Sequence, residues 1–127
     1  MSRGKHICLD YTGFHPAVED SANWMLALLI EAVDQSSARR VHAHVEAFDG
    51  AESPPGFAAV VLLDESHISA HCYQEEGLLA IDCFTCGETD PAELTEWLDA
   101  ALQRACPGLA KVSQHRIDRF GEAMTDG

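Results

Sequence analysis

Basic residues are scarce in this 127-residue chain: 8 Lys and Arg stand against 21 Asp and Glu, a formal charge of −13. That deficit argues against charge-driven binding to nucleic acid or anionic membranes, both of which need an excess of Lys and Arg. It suits a small cationic substrate. Long apolar runs are missing as well. No window approaches the roughly eighteen apolar residues of a membrane span, and no apolar signal-peptide core follows Arg3 and Lys5. Cysteines are few, odd in number and irregularly spaced (Cys8, Cys72, Cys83, Cys86 and Cys106). Reduced thiols in a cytoplasm are therefore expected rather than a secreted disulfide framework. Two catalytic signatures are absent. No Gly-x-Ser-x-Gly elbow marks a serine hydrolase, and no second cysteine pair joins Cys83-x-x-Cys86 in a zinc site. His42, His44, His67 and His71 fall in strand-like segments, where alternating histidines are more often surface residues than ligands, so no metal is expected.

What is present describes a folded domain. The chain is 46% hydrophobic, and its length bounds it to one domain, residues 1–127. His6 to Tyr11 suits a first strand. From Ala17 to Val33 apolar residues recur at spacings of three and four, which predicts an amphipathic helix. Val41, Ala43, Val45 and Ala47 alternate with polar residues, as on a half-buried strand. The segments 58–63, 65–72 and 78–84 are three further strands, the last two joined by a turn at 74–77. Asp90-Pro91-Ala92-Glu93 opens a second helix, and 110–117 closes the set as a strand. The tail from 120 to 127 is polar and expected to be flexible. The fold class is α+β: an antiparallel sheet covered on one face by two helices in two layers. The other sheet face also needs cover, and a homodimer stacked as an αββα sandwich supplies it.

The concentration of chemistry lies just after the apolar run Ala58–Leu63. Asp64, Glu65, Ser66, His67, Ser69, His71 and Cys72 occupy nine positions. A buried strand running into acids, hydroxyls and imidazoles is a plausible way to mount a reactive site on a rigid element. Taken singly, these residues have bland alternatives. Cys86 can be a small buried hydrophobe, and Glu75 a solvated turn residue.

The run Asp64-Glu65-Ser66-His67-Ile68-Ser69-Ala70-His71, then Glu75, then Ala80-Ile81-Asp82-Cys83-Phe84-Thr85-Cys86-Gly87 resembles the signature of the prokaryotic S-adenosylmethionine decarboxylase proenzymes. Gly4-Lys5-His6 and Asp90-Pro91 also match, so the resemblance covers about residues 4 to 117. It implies cleavage of Glu65-Ser66 by the serine itself, with Ser66 becoming a pyruvoyl group that forms a Schiff base with the substrate amine. The pyruvoyl carbonyl would serve as the electron sink for decarboxylation in place of pyridoxal phosphate. The implied product is the aminopropyl donor for spermidine. The resemblance gives His71 a part in processing and makes Cys86 the proton donor to the substrate α-carbon. Glu75 would hold the ribose hydroxyls. Tyr73 stands where the family has a pocket-lining Trp, and Phe48 or Phe57 would supply an aromatic platform. Ala58 replaces a family serine that assists cleavage, and the 48–56 loop is longer than usual. Two alternatives stay open: a pyruvoyl enzyme acting on arginine or ornithine, and a non-processing homologue with a binding or regulatory role.

Overall fold

The computed structural model describes residues 3–121. Six strands and two helices follow one another as β1 (Gly4–Thr12), α1 (Ser21–Asp34), β2 (Arg40–Phe48), β3 (Gly56–Leu63), β4 (Ser66–Tyr73), β5 (Leu78–Cys86), α2 (Ala92–Ala105) and β6 (Ala110–Arg119). The strands form one antiparallel sheet in the order β2-β3-β4-β5-β1-β6. Strands β3, β4 and β5 are joined by short turns and pair consecutively. The two outer strands, β2 and β6, are the edges.

Alternation assigns each strand residue to a face. Ile7, Leu9 and Tyr11 of β1, Val61 of β3, Ile68 and Ala70 of β4, and Leu79, Ile81 and Cys83 of β5 are all buried against the helices. Helix α1 adds Met25, Leu29, Ala32 and Val33 to this core, and α2 adds Leu94, Leu98 and Leu102. The Tyr11 hydroxyl donates to Asp99 Oδ1 at 2.6 Å, which ties β1 to α2. The arrangement is the expected two-layer α+β sandwich, with the second sheet face left uncovered by this chain. Among the described residues no helix is long and apolar enough to cross a membrane.

Several boundaries differ from those read off the sequence. Helix α1 begins at Ser21 rather than Ala17, because the Asp20 side chain accepts from Asn23 N at 3.1 Å and caps it there. Strand β2 is less buried than its alternation suggests: Val41 is 55% exposed, since an edge strand has a neighbour on one side only. Helix α2 starts at Ala92, one residue later than expected, with Pro91 and not Asp90 in the cap position. The expected bonds still form just ahead of it: Asp90 Oδ1 accepts from Ala92 N, and Glu93 Oε2 accepts from Asp90 N. Of the expected tail, residues 122–127 lie outside the described residues. Phe120 is described, and its ring meets Phe84 edge-on at 6.5 Å.

Two stability effects follow from this packing. Leu98 is fully buried under α2, so Leu98→Ala is expected to cost about 2–5 kcal/mol in urea unfolding. Asp90→Ala removes the acceptor for the Ala92 N–H at the start of α2 and is expected to cost about 0.5–2 kcal/mol. The hydrogen bond from Ala92 N, then Arg116, holds the Asp90 carboxyl below its ordinary value of 3.8. Its folded-state value is depressed, so the advantage of wild type over Asp90→Ala is present above about 3.8. It shrinks as pH falls through the folded value. An advantage that grew toward low pH would contradict the assignment.

Candidate active site

The β3–β4 connection is a two-residue turn, Asp64-Glu65. Glu65 sits at φ 57°, in the left-handed region that non-glycine residues rarely adopt. Such a backbone persists only where its surroundings enforce it. Here the enforcement comes from Arg39, just before β2. Its guanidinium binds the Asp64 carboxylate twice, Nε to Oδ2 and Nη2 to Oδ1, both at 2.6 Å. The Asp64 backbone N–H returns a bond to the Arg39 carbonyl at 3.3 Å. The Arg39 hydrogen bond holds the Asp64 carboxyl below its usual value. Nothing in the sequence singles out Arg39, because the pairing joins residues 25 positions apart.

Ser66 follows this turn directly. Its Oγ accepts a hydrogen bond from Cys86 N at 3.0 Å. Gly87 then takes φ 82°, a conformation glycine adopts at little cost, and turns the chain away from the end of β5. The buried Thr85 hydroxyl donates to Thr89 O at 2.7 Å and closes that loop. Arg39, Asp64, Glu65, Ser66, Cys86 and Gly87 line a cavity of about 280 Å³. An N–H aimed at a serine oxygen stabilises negative charge there, which lowers the cost of moving its proton away.

The uncovered sheet face beside this end is rich in titratable groups. Phe84 lies between two imidazoles, 6.2 Å from His6 and 5.8 Å from His67 by ring centres. Burial, and then the charge of His6, favours the neutral form of His67, against an opposing pull from Asp82. Burial, a hydrogen bond with Asp82 and the charges of Asp82 and Asp10 push the Cys8 thiol up to about 11.

The other expected site residues stand apart. His71 is five positions along β4 from Ser66, about 16 Å at the usual rise, and on the uncovered face. Ser66 instead shares the parity of the helix-facing Ile68 and Ala70. Directly across from His71 in β3 is Ala58, and both line a groove of about 440 Å³. Tyr73 and Phe48 lie at the opposite end of the sheet from Ser66. Each is in register with a residue of one row, through Gly56. Glu75 is exposed in the adjoining turn. Of the two aromatic candidates, Phe48 is 39% exposed, whereas Phe57 is buried in the core and cannot serve as a surface platform. One copy of the chain thus unites Glu65, Ser66 and Cys86, and separates them from His71, Tyr73, Glu75 and Phe48.

Comparison with known proteins identifies the family. The family model for S-adenosylmethionine decarboxylase matches residues 5–119. A Brevibacillus brevis protein named S-adenosylmethionine decarboxylase proenzyme is 36% identical over 101 residues, 79% of this chain and 73% of its own length. A Bacillus anthracis protein named S-adenosylmethionine decarboxylase proenzyme 2 is 41% identical over 86 residues, covering 68% of this chain and 67% of its own. The crystal structure of the adenosylmethionine decarboxylase from Aquifex aeolicus superposes with a TM-score of 0.66 at 26% identity, over 93% of this chain and 91% of that one. A family match across nearly the whole chain, joined by these relatives and by the fold, makes this protein a member of the S-adenosylmethionine decarboxylase family.

Proposed function

We propose that the chain is a self-cleaving proenzyme, a single domain over residues 1–127 whose product decarboxylates S-adenosylmethionine for spermidine synthesis in the cytoplasm. The observation that carries this is the strained Glu65 backbone, clamped by Arg39 through Asp64, next to a Ser66 Oγ that already receives the Cys86 N–H. In the processing step, Ser66 Oγ adds to the Glu65 carbonyl carbon and the Glu65–Ser66 C–N bond breaks, so the amide becomes an ester. Loss of the Ser66 Cα proton expels the Glu65 carboxylate and leaves dehydroalanine. Water adds and ammonia leaves, giving a pyruvoyl group at the new terminus of 66–127, with 1–65 as the second chain. The Cys86 N–H stabilises charge on Oγ during attack, and cleavage relieves the strain at Glu65.

The site fits the pyruvoyl group: its precursor Oγ already has a backbone donor, and a cavity large enough for small-molecule atoms adjoins it. That group supplies the electron sink needed to remove carbon dioxide from an α-amino acid. Cys86 Sγ holds the proton returned to the substrate α-carbon. Glu75 accepts from the ribose hydroxyls, and Tyr73 and Phe48 flank the adenine. The acidic chain favours approach of the cationic substrate.

The separation of these groups within one copy supports a homodimer. Two copies pair through their uncovered sheet faces, and the far end of one brings His71, Tyr73, Glu75 and Phe48 to Ser66 and Cys86 of the other. His71 then serves processing as a proton carrier across the interface.

Intact mass after incubation tests the scheme. Wild type is expected to yield fragments 1–65 and 66–127, the latter carrying the mass change for pyruvoyl, and Ser66→Ala a single unbroken chain. An unbroken wild-type chain would sink the proposal in favour of a binding or regulatory homologue. Cys86→Ala keeps the backbone donor, so cleavage is expected to continue while carbon dioxide release from S-adenosylmethionine falls about 10²-fold or more. Release from arginine or ornithine alone would reassign the substrate.

Two further variants probe the interface. Ala58→Ser places a hydroxyl directly opposite His71 and is expected to speed cleavage, by up to about 10²-fold. Mixing Ser66→Ala with His71→Ala chains is expected to restore cleavage of the His71→Ala chain. No restoration in mixed dimers would place His71 in the same copy as the serine it serves.

A further inference from the structure

Three donors outside the Ser66–Cys86 cavity converge on the uncovered sheet face. His6 and Cys8 alternate along β1, so both side chains emerge on one side. Asp82 of β5 is the register partner of Cys8. One ligand-capable atom from each of His6, Cys8 and Asp82 lies within 4.8 Å of the other two. His6 Nε2 is 3.2 Å from Asp82 Oδ1. In a tetrahedral zinc site, with bonds of about 2.0–2.3 Å, neighbouring ligand atoms stand about 3.3–3.7 Å apart. The imidazole–carboxylate pair is already near that spacing, and the whole set closes with side-chain movements of about 1 Å.

The geometry points to a divalent metal site of the zinc class formed by His6, Cys8 and Asp82. The donor types decide the class. A thiol, an imidazole and a carboxylate together suit Zn²⁺ or Co²⁺, whereas Mg²⁺ and Ca²⁺ take oxygen ligands. The charge is suitable as well: among the described residues, no Lys or Arg forms a salt bridge with Asp82. The ligands rise from two hydrogen-bonded central strands, so little backbone order is lost on binding. The ring of Phe84 beside His6 walls one side of the site. On the other side, His115 of β6 is the register partner of Cys8. It is exposed in the single chain and shares this face, so it can swing in as a fourth ligand. Bound metal would cross-link β1 to β5, the strand that ends in Cys86. The site does not depend on the processing chemistry proposed above.

Metal analysis of the full-length protein tests this. After dialysis against chelator and then excess Co²⁺, followed by removal of free ion, one cobalt per chain is expected. It should carry a thiolate-to-cobalt charge-transfer band and the intense visible bands of a tetrahedral site. Binding ionises the Cys8 thiol, so one proton per metal is released into a weakly buffered solution. Cys8→Ser is expected to abolish the charge-transfer band and weaken Zn²⁺ binding at least about tenfold. Asp82→Asn is expected to weaken it similarly, and His44→Ala, on the distant edge strand, to leave it unchanged. Absence of retained cobalt in the wild type would overturn the site and leave a simple His6–Asp82 hydrogen bond. So would a charge-transfer band that survives in Cys8→Ser or disappears in Cys86→Ala, since the thiolate would then belong to another cysteine.

Discussion

The register of β4 between β3 and β5 is the constraint on which the rest of the molecule depends. A slip of one residue would carry every β4 side chain to the opposite face. Ile68 and Ala70, both fully buried, would leave the core, and His67 and His71 would enter it. The apolar neighbours that fix this register also fix the chemistry. With β4 held where it is, Ser66 meets the end of β5 and receives the Cys86 N–H, while His71 faces Ala58. The core therefore acts as a positioning device, and the hydrophobic effect supplies the precision that the site requires.

A second constraint is local and works against the first. The β3–β4 hairpin turns in two residues, neither of them glycine, and Glu65 takes the unfavourable φ. A glycine at position 65 would relax the turn. The chain instead keeps an acid there and braces the turn from outside with a bidentate Arg39–Asp64 pair. An exposed ion pair of this kind adds little to global stability. Its geometry is better suited to holding one peptide in place than to strengthening the fold.

Much of the fold was legible because its signals are local. The three-and-four spacing of Met25, Leu29 and Val33, the Asp90–Glu93 cap and the apolar run before Asp64 each report on their own element. Boundaries drifted where a single side chain decides the end, as Asp20 does for α1. The burial of β2 was overestimated, since alternation reports a strand's pattern and not its place at a sheet edge. The candidate site was suggested by residue type, through the Glu-Ser-His and Phe-Thr-Cys-Gly segments, but its arrangement in space was not legible. Ser66 and His71 look adjacent in sequence, yet five residues of extended strand put them far apart and on different faces. Arg39 gave no signal. His6 and Cys8 did, through their period of two, but Asp82 completes that cluster only once β1 and β5 are paired.

The uncovered face connects these observations. It carries His6, His67 and His71, the acids Asp10 and Asp82, and apolar residues such as Val60, Leu62 and Ile117, with Leu62 and Ile117 more than two-fifths exposed. A solvated sheet face has no need of exposed Leu and Ile, and a core has little use for so many imidazoles and carboxylates. The mixture suits the proposed homodimer, in which this face would be covered. Covering it excludes water from Phe84 and its flanking imidazoles, and strengthens every charge interaction among them. In the proposed homodimer the same act would bring a second sheet's far end over the Ser66 end of the first, which would answer the separation seen within one copy. Apolar residues on the face would favour association, and the acids and imidazoles between them limit which alignment leaves no buried charge unpaired. Under the proposed pairing, cover of the sheet and completion of the site would be one requirement, met by one interface.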